Sequence, residues 1–327
     1  VKSEVDGEDA YIHSVFVDGL KPGTLYSYRV GDAELEWSGV GTFKTAGEGA
    51  FTFLHMSDPQ GWEVGHYDRY GVTLKSAFEA YPDAAFVAMT GDIVNNSWAD
   101  STPVLEQWEW AFTYLSQYTM NTVFAPVSGN HDAAYMDFAS RFALPVPSGA
   151  DVSSGSYYSF DYAGVHVIGI NTNDFIRSQD EDGNVFYKMS DAQEAFIRSD
   201  LAAAAEAEWK IALQHKGFYT TGEHTNGGDE DIPFVRAQIA PIYEEYGVDI
   251  VLQGHDHLYV RTKPTYTDGK THTADEPKTY EYEGRQNVLD PKGAVYLNTA
   301  TASGSKAYAE VPYDGSVVHI EKSGTIT

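Results

Sequence analysis

The sequence predicts an α/β protein: a layered β-sandwich flanked by helices, preceded by a small all-β sandwich fragment. Three observations carry this. From Phe51 onward, short apolar runs alternate with segments of helical spacing, the pattern of a layered α/β core. Residues 1–46 instead alternate with period two around a Pro22-Gly23 turn signal, as half-buried strands do. Several apolar runs of the core end in polar, ligand-capable side chains, and open α/β sheets build their sites beyond the carboxyl ends of their strands.

Within the first unit, residues 14–17, 25–30 and 41–45 read as strands, and 46–50 as a linker to a domain over 51–327. A buried strand over 51–56 ends in Ser57-Asp58-Pro59-Gln60, and a helix over 70–81 is stopped by Pro82. The strand over 85–89 runs into Gly91-Asp92. A Trp- and Tyr-rich helix spans 104–118, its aromatic stripe facing the core. The β-branched run 122–127 then leads into Ser128-Gly129-Asn130-His131-Asp132. A hairpin is expected over 156–170 around Ala163-Gly164, with His166 inside it as a structural residue. Ser190 and Gln193 form a capping-box start to a helix reaching Glu206. The strand over 209–213 ends in Gln214-His215, and a helix over 233–246 is closed by Gly247. The strand over 249–253 leads into Gly254-His255-Asp256-His257. Residues 265–287 read as a long polar loop and 294–297 as a last core strand.

Composition narrows the function classes. A chain of 327 residues has room for one large domain and a small one. Its formal charge of −27, with no basic block, argues against nucleic acid, whose phosphates are bound by clustered Lys and Arg. No apolar run reaches the roughly 18 residues that a membrane span needs. The absence of cysteine removes disulfides, thiolate metal sites and cysteine nucleophiles together, and fits an exported or a cytosolic protein equally. The acidity, the 23 tyrosines and the many Gly, Ser and Thr residues favour an extracellular or cell-surface bacterial protein.

Asp58, Asp92, Asn130, His215 and the pair His255 and His257 thus stand at the ends of separate strands. Any one of them alone is an ordinary polar turn; together in one domain they form a constellation. Carboxylate, amide oxygen and imidazole suit Mn, Fe, Zn or Co, with no thiolate competing. Two ions about 3.5–4 Å apart can clamp the attacking and leaving oxygens of a phosphoryl displacement. They would also create a positive pocket, fit for phosphate, inside an acidic protein.

The series Asp58-Pro59-Gln60, Gly91-Asp92, Gly129-Asn130-His131-Asp132, His215 and Gly254-His255-Asp256-His257 resembles the calcineurin-like metallophosphoesterase superfamily. The preceding strands, His215-Lys216-Gly217-Phe218-Tyr219 and the run from Gly254 to Arg261 are similar to its purple acid phosphatase-like branch. Leu20-Lys21-Pro22-Gly23-Thr24-Leu25-Tyr26 resembles the tyrosine corner of a fibronectin type III-like sandwich. Such a sandwich has about seven strands, so further strands, on the same or a separate chain, are expected to complete residues 1–46. The resemblance implies two metal ions (Fe, Mn or Zn) bridged by Asp92. Asp58 and His257 would hold the first, with Gln60 where many relatives have a histidine, and Asn130, His215 and His255 the second. A metal-bridging hydroxide would be the nucleophile. His131 would serve the leaving group, with Asp132 orienting its ring, and His224 stands where relatives often place a substrate-side histidine. Asn95 replaces the tyrosine that colours purple relatives, and an amide such as Gln60 is a poorer donor than imidazole; together these imply a colourless enzyme whose first ion is weakly or variably held.

The expected activity is hydrolysis of phosphate esters, small phosphomonoesters foremost, because the negative surface repels polyanions. A phosphodiesterase acting on nucleotide, glycerol or lipid-derived diesters shares the same metal core, and an assay pairing a monoester with its diester separates the two. A secreted binding module with lost catalysis is the alternative of another class; it would bind no metal and hydrolyse nothing.

Overall fold

The computed structural model describes residues 2–5, 8–11, 13–34, 36–96, 103–133, 138–267, 272–274 and 278–311. The expected domain over 51–327 therefore ends in a stretch, 312–327, that lies outside the described residues.

Two sheets face each other. The small one is fully parallel, with Phe86–Met89 between Leu54–Met56 and Val123–Pro126. The large one has six strands in the order Val260–Arg261, Val295–Asn298, Ile250–Gln253, Trp209–Leu213, Val165–Gly169 and Tyr158–Tyr162. Its four inner strands are parallel and its two edges antiparallel. Because side chains alternate along a strand, each strand feeds two layers. Phe86, Ala88, Val165, Val167, Ile211, Leu213 and Leu252 fill the space between the sheets. Val87 and Met89 point outward onto the helices Val64–Ala80 and Val104–Thr119, through Tyr67, Tyr70, Leu74, Trp108 and Leu115. Ile168, Ala212 and Val251 point the other way, onto Asp191–Ala203 and Ile232–Glu245. The result is four layers, helix–sheet–sheet–helix, with both sheets buried on both faces. Such strands read as continuous apolar runs rather than alternating ones.

Local signals explain the boundaries. Ser190 caps its helix by accepting from the Gln193 backbone N–H at 3.2 Å. Gly247, at φ +67°, closes the helix Ile232–Glu245. The hairpin over 158–169 turns at Ala163 and Gly164, both at positive φ. His166 sits in it as a buried strand residue between Asp161 and Asp200, at 2.8 Å from each.

Three expectations change. Residues 14–17 are not a strand: Val15 and Phe16 are 82% and 89% exposed, with no partner strand to pair with among the described residues. The first unit contributes instead a ribbon of Leu25–Tyr28 with Gly41–Lys44 and a short hairpin of Lys2–Val5 with Glu8–Tyr11. That ribbon leans on the core, where Tyr28 donates to the Met120 carbonyl at 3.1 Å and the Thr42 N–H to Asn121 Oδ1 at 2.9 Å. The polar run over 265–287 is not loop throughout: Thr265–Thr267 pairs with His272–Ala274, and Lys278–Tyr282 with Arg285–Leu289; residues 268–271 and 275–277 lie outside the described set. The helix expected from residue 70 already begins at Val64.

Candidate metal centre

Parallel strands in each sheet bring their carboxyl ends to one edge, and the turns that follow carry the polar residues. These turns are conformationally demanding. Asp58, Gln60, Asp92 and His255 all have positive φ (52°, 36°, 49° and 73°), a region unfavourable for residues other than glycine that recurs at functional sites. Close approach sets the neighbouring glycines. A Cβ on Gly129 would run into the Asp92 carboxylate, and one on Gly254 into Ser57 Oγ and the Asp58 carboxylate.

Asp58, Gln60, Asp92, Asn130, His215, His255 and His257 gather there. His215 donates from Nδ1 to the Thr90 carbonyl at 2.7 Å, which turns Nε2 into the cluster. Around that Nε2 lie Asn130 Oδ1 at 3.1 Å, His255 Nδ1 at 3.2 Å and Asp92 Oδ1 at 3.4 Å. Beside them, His257 Nε2 is 3.3 Å from Asp58 Oδ1, and Asp58 Oδ2 accepts from the His255 N–H at 3.1 Å and from Ser57 Oγ at 2.5 Å. Burial opposes ionisation of the two aspartates, but the histidines prevail: His257 and His215 hold Asp58 below the usual carboxylate range, and His215 and His131 hold Asp92 well below it. Burial likewise opposes a charge on His215, yet Asp92 and Asp58 push it up to about 9.

The donor set fits metal ions. His215 Nε2, His255 Nδ1, Asn130 Oδ1 and Asp92 Oδ1 converge on one point, where a shared cation could take the place of the His215 proton. Donors about 2.0–2.1 Å from one tetrahedral ion lie about 3.3 Å apart, close to the separations found. One further acceptor, Gln60 Oε1, is buried without a hydrogen-bond partner. An unsatisfied buried polar atom is costly, and Gln60 is fastened beside Asp92, whose carbonyl accepts from its backbone N–H at 2.9 Å.

His131 is half-buried; its backbone N–H donates to Asp92 Oδ1 at 2.9 Å, and its ring Nδ1 to the Asn95 carbonyl. Asp132 does not orient that ring. Its Oδ1 accepts from the backbone N–H groups of Ile93 and Val94, at 2.9 and 3.2 Å, and its Oδ2 from Gly129, at 2.9 Å. It therefore staples the Asp92 turn to the Asn130 turn. Burial, then the Asp92 charge, push its carboxyl up to about 7. His224 does reach the cluster: its ring centroid is 4.6 Å from that of His255.

Several residues escaped the sequence reading. Asp229 joins His224 to His255 from within an acidic Gly-Gly-Asp-Glu-Asp run that looks like a solvated loop. The segment after the last core strand crosses the site. Thr301 donates to the Asp58 carbonyl at 2.6 Å and the Ala302 N–H to Ser57 at 2.8 Å. Farther on, the Val311 N–H reaches Thr221 at 2.9 Å. Between these anchors Lys306 donates to Asn95 Oδ1 at 2.8 Å, and Tyr308 packs on both His257 and His224. Nothing periodic marks this stretch.

Comparisons with known proteins agree with the geometry. Residues 51–259 match the calcineurin-like phosphoesterase family, and residues 1–45 the purple acid phosphatase N-terminal domain. Purple acid phosphatases 15 and 23 of Arabidopsis thaliana are each 24% identical; each alignment covers 88% of this chain, and 52% and 61% of the relative. The chain thus spans little more than half the length of these curated relatives. The purple acid phosphatase PPD1 of yellow lupin (Lupinus luteus) superposes with a TM-score of 0.61 at 18% identity, over 92% of this chain and 54% of that one, and so shares the fold. The chain belongs to the calcineurin-like phosphoesterase family.

Proposed function

We propose that the chain is a binuclear-metal hydrolase of phosphate esters, acting on small phosphomonoesters. The observation that carries this is the convergence of Asp58, Asp92, Asn130, His215, His255 and His257 where the strands end, with Gln60 Oε1 buried and unpartnered. In this reading Asp58, Gln60 and His257 hold one ion, Asn130, His215 and His255 the other, and Asp92 both. Bound there, the ions would activate a water and neutralise charge on the phosphoryl oxygens.

The chain's own groups do the rest. The Asn95 carbonyl fixes His131 with its proton on Nδ1, so that Nε2, when protonated, can deliver a proton to the leaving oxygen. Lys306 adds positive charge near the site, and His224 stands beside His255 with its Nδ1 on Asp229. The acidic exterior limits polyanionic substrates. An aryl phosphate monoester and its diester, assayed side by side with added Mn(II) or Zn(II), test the reading. Faster monoester turnover supports it, faster diester turnover moves the chain to the phosphodiesterases, and no turnover of either removes the enzyme reading.

A further inference from the structure

Asp229 lies where a buried histidine of the cluster meets a partly exposed one, and it binds both. Its Oδ2 is 3.1 Å from His255 Nε2, and its Oδ1 is 3.1 Å from His224 Nδ1. Local geometry makes this bridge. Residues His224–Gly228 form a wide turn in which the Gly228 N–H reaches back to Glu223 at 2.8 Å and the Asp229 N–H to His224 at 3.0 Å. Gly227, at φ +117°, supplies a conformation that side chains disfavour. Asp256, between His255 and His257, fastens the turn by accepting from the backbone N–H of His224 at 3.3 Å. The loop with Asp229 is thus tied to the loop with His255.

We infer that Asp229 is a positioning residue that fixes the ring tautomers of His255 and His224 in opposite senses. The inference rests on the metal-hydrolase reading for what those rings do, though not for the hydrogen bonds themselves. With Nε2–H donated to Asp229, His255 carries its lone pair on Nδ1, the atom 3.2 Å from His215 Nε2 inside the cluster. With Nδ1–H donated to the same carboxylate, His224 carries its lone pair on Nε2 instead. A carboxylate behind a ligand histidine fixes ring orientation and raises ligand basicity, and its loss typically weakens metal binding about 10–100-fold.

His224, Asp229 and His255 also lie close enough together to suggest a third ion. Charge argues against that. Lys216 Nζ is 3.1 Å from Asp229 Oδ2 and is itself held by both oxygens of Asp231 at 2.9 Å. A buried ammonium already occupies the cation's place on that carboxylate, and both Asp229 oxygens are committed.

The test has two arms. In the wild-type protein, nitrogen-15 NMR of the imidazoles should show His255 protonated on Nε2 and His224 on Nδ1. The reverse assignment, or a mixture of tautomers, for either ring overturns the inference whatever the protein hydrolyses. In the second arm, Zn(II) affinity is titrated against a chelator for wild type, D229N and D231N, with folding checked by thermal melts. The expected result is two ions in the wild type, with the tighter step, that of the ion assigned to His255, about 10–100-fold weaker in D229N. D231N perturbs the same Lys216 without touching either histidine and should stay within about twofold. Unchanged affinity in D229N, an equal loss in D231N, or a third wild-type ion that D229N abolishes would each overturn the inference. A wild-type chain that binds no zinc overturns the metal-hydrolase reading instead, and the NMR arm still decides the tautomers.

Discussion

Replacing Gln60 with methionine should change stability with opposite sign in the absence and presence of metal. Gln60 is 1% exposed, and its Oε1 has no hydrogen-bond partner. An unsatisfied buried polar group costs about 1–3 kcal/mol. Methionine has nearly the same shape and no oxygen to leave unpaired, and the backbone strain at φ +36° is common to both residues. In excess chelator the variant should therefore be the more stable protein. At about 2–4 °C of melting temperature per kcal/mol for a large domain, the rise is a few degrees. Metal reverses the comparison. An ion that binds only the folded state stabilises it by RT ln(1 + [L]/Kd), so each tenfold loss of affinity removes about 1.4 kcal/mol at saturating metal. The metal-induced rise in melting temperature should thus be smaller in Q60M than in wild type. Differential scanning fluorimetry with and without Mn(II) reads both arms. Equal metal-induced shifts in the two proteins would refute Gln60 as a ligand; a lower melting temperature for Q60M in chelator would refute the unpaired-acceptor argument.

Three further outcomes follow from the site and its surroundings. H131A should lower turnover by about 10²–10⁴-fold, the usual range for a lost general acid, while metal content stays unchanged; wild-type turnover would remove its assigned role. K306M should raise KM for an anionic ester more than it lowers kcat, because Lys306 stands beside the cluster on Asn95 and meets the His257 ring through its backbone carbonyl, which the substitution keeps; kinetics at two ionic strengths check this. His166 supplies the pH prediction. Burial lowers its proton affinity, but the hydrogen bonds it donates to Asp200 and Asp161 more than offset this, so its folded-state pKa lies above the ordinary 6.5. Its stabilisation is then fully present below pH 6.5 and is lost as pH rises through the folded value. H166Q should cost roughly 1–2 kcal/mol at pH 5.5, discounted for the exposed Asp161, and less at pH 8.5; an equal loss at both pH values in urea titrations would contradict it.

Which residues the sequence revealed has a physical pattern. Strands buried on both faces stand out as apolar runs, and the glycines at their ends are forced by crowding, as at Gly129 and Gly254. Hence Asp58, Asp92, Asn130, His215, His255 and His257 could be read directly, each as the polar residue just past such a run. The hairpin of Lys278–Tyr282 with Arg285–Leu289 was missed because it is largely exposed and shows no buried alternation. Its turn, Glu283-Gly284 with both residues at positive φ, was the available signal. Asp132 was assigned to its sequence neighbour, but Asn130–Ala133 is a helical turn in which adjacent side chains diverge. Asp229 and Lys306 reach the site through tertiary closure of irregular segments, which leaves no period to read.

The central claim is that these strand ends build one site for two ions. Metal analysis of wild type and D92N, each loaded with Mn(II) or Zn(II) and exhaustively desalted, tests it most directly. The account predicts two ions per wild-type chain and a loss at both positions in D92N, since Asp92 is assigned to each. A wild-type chain that retains no ion, or a D92N chain that keeps both, would contradict it.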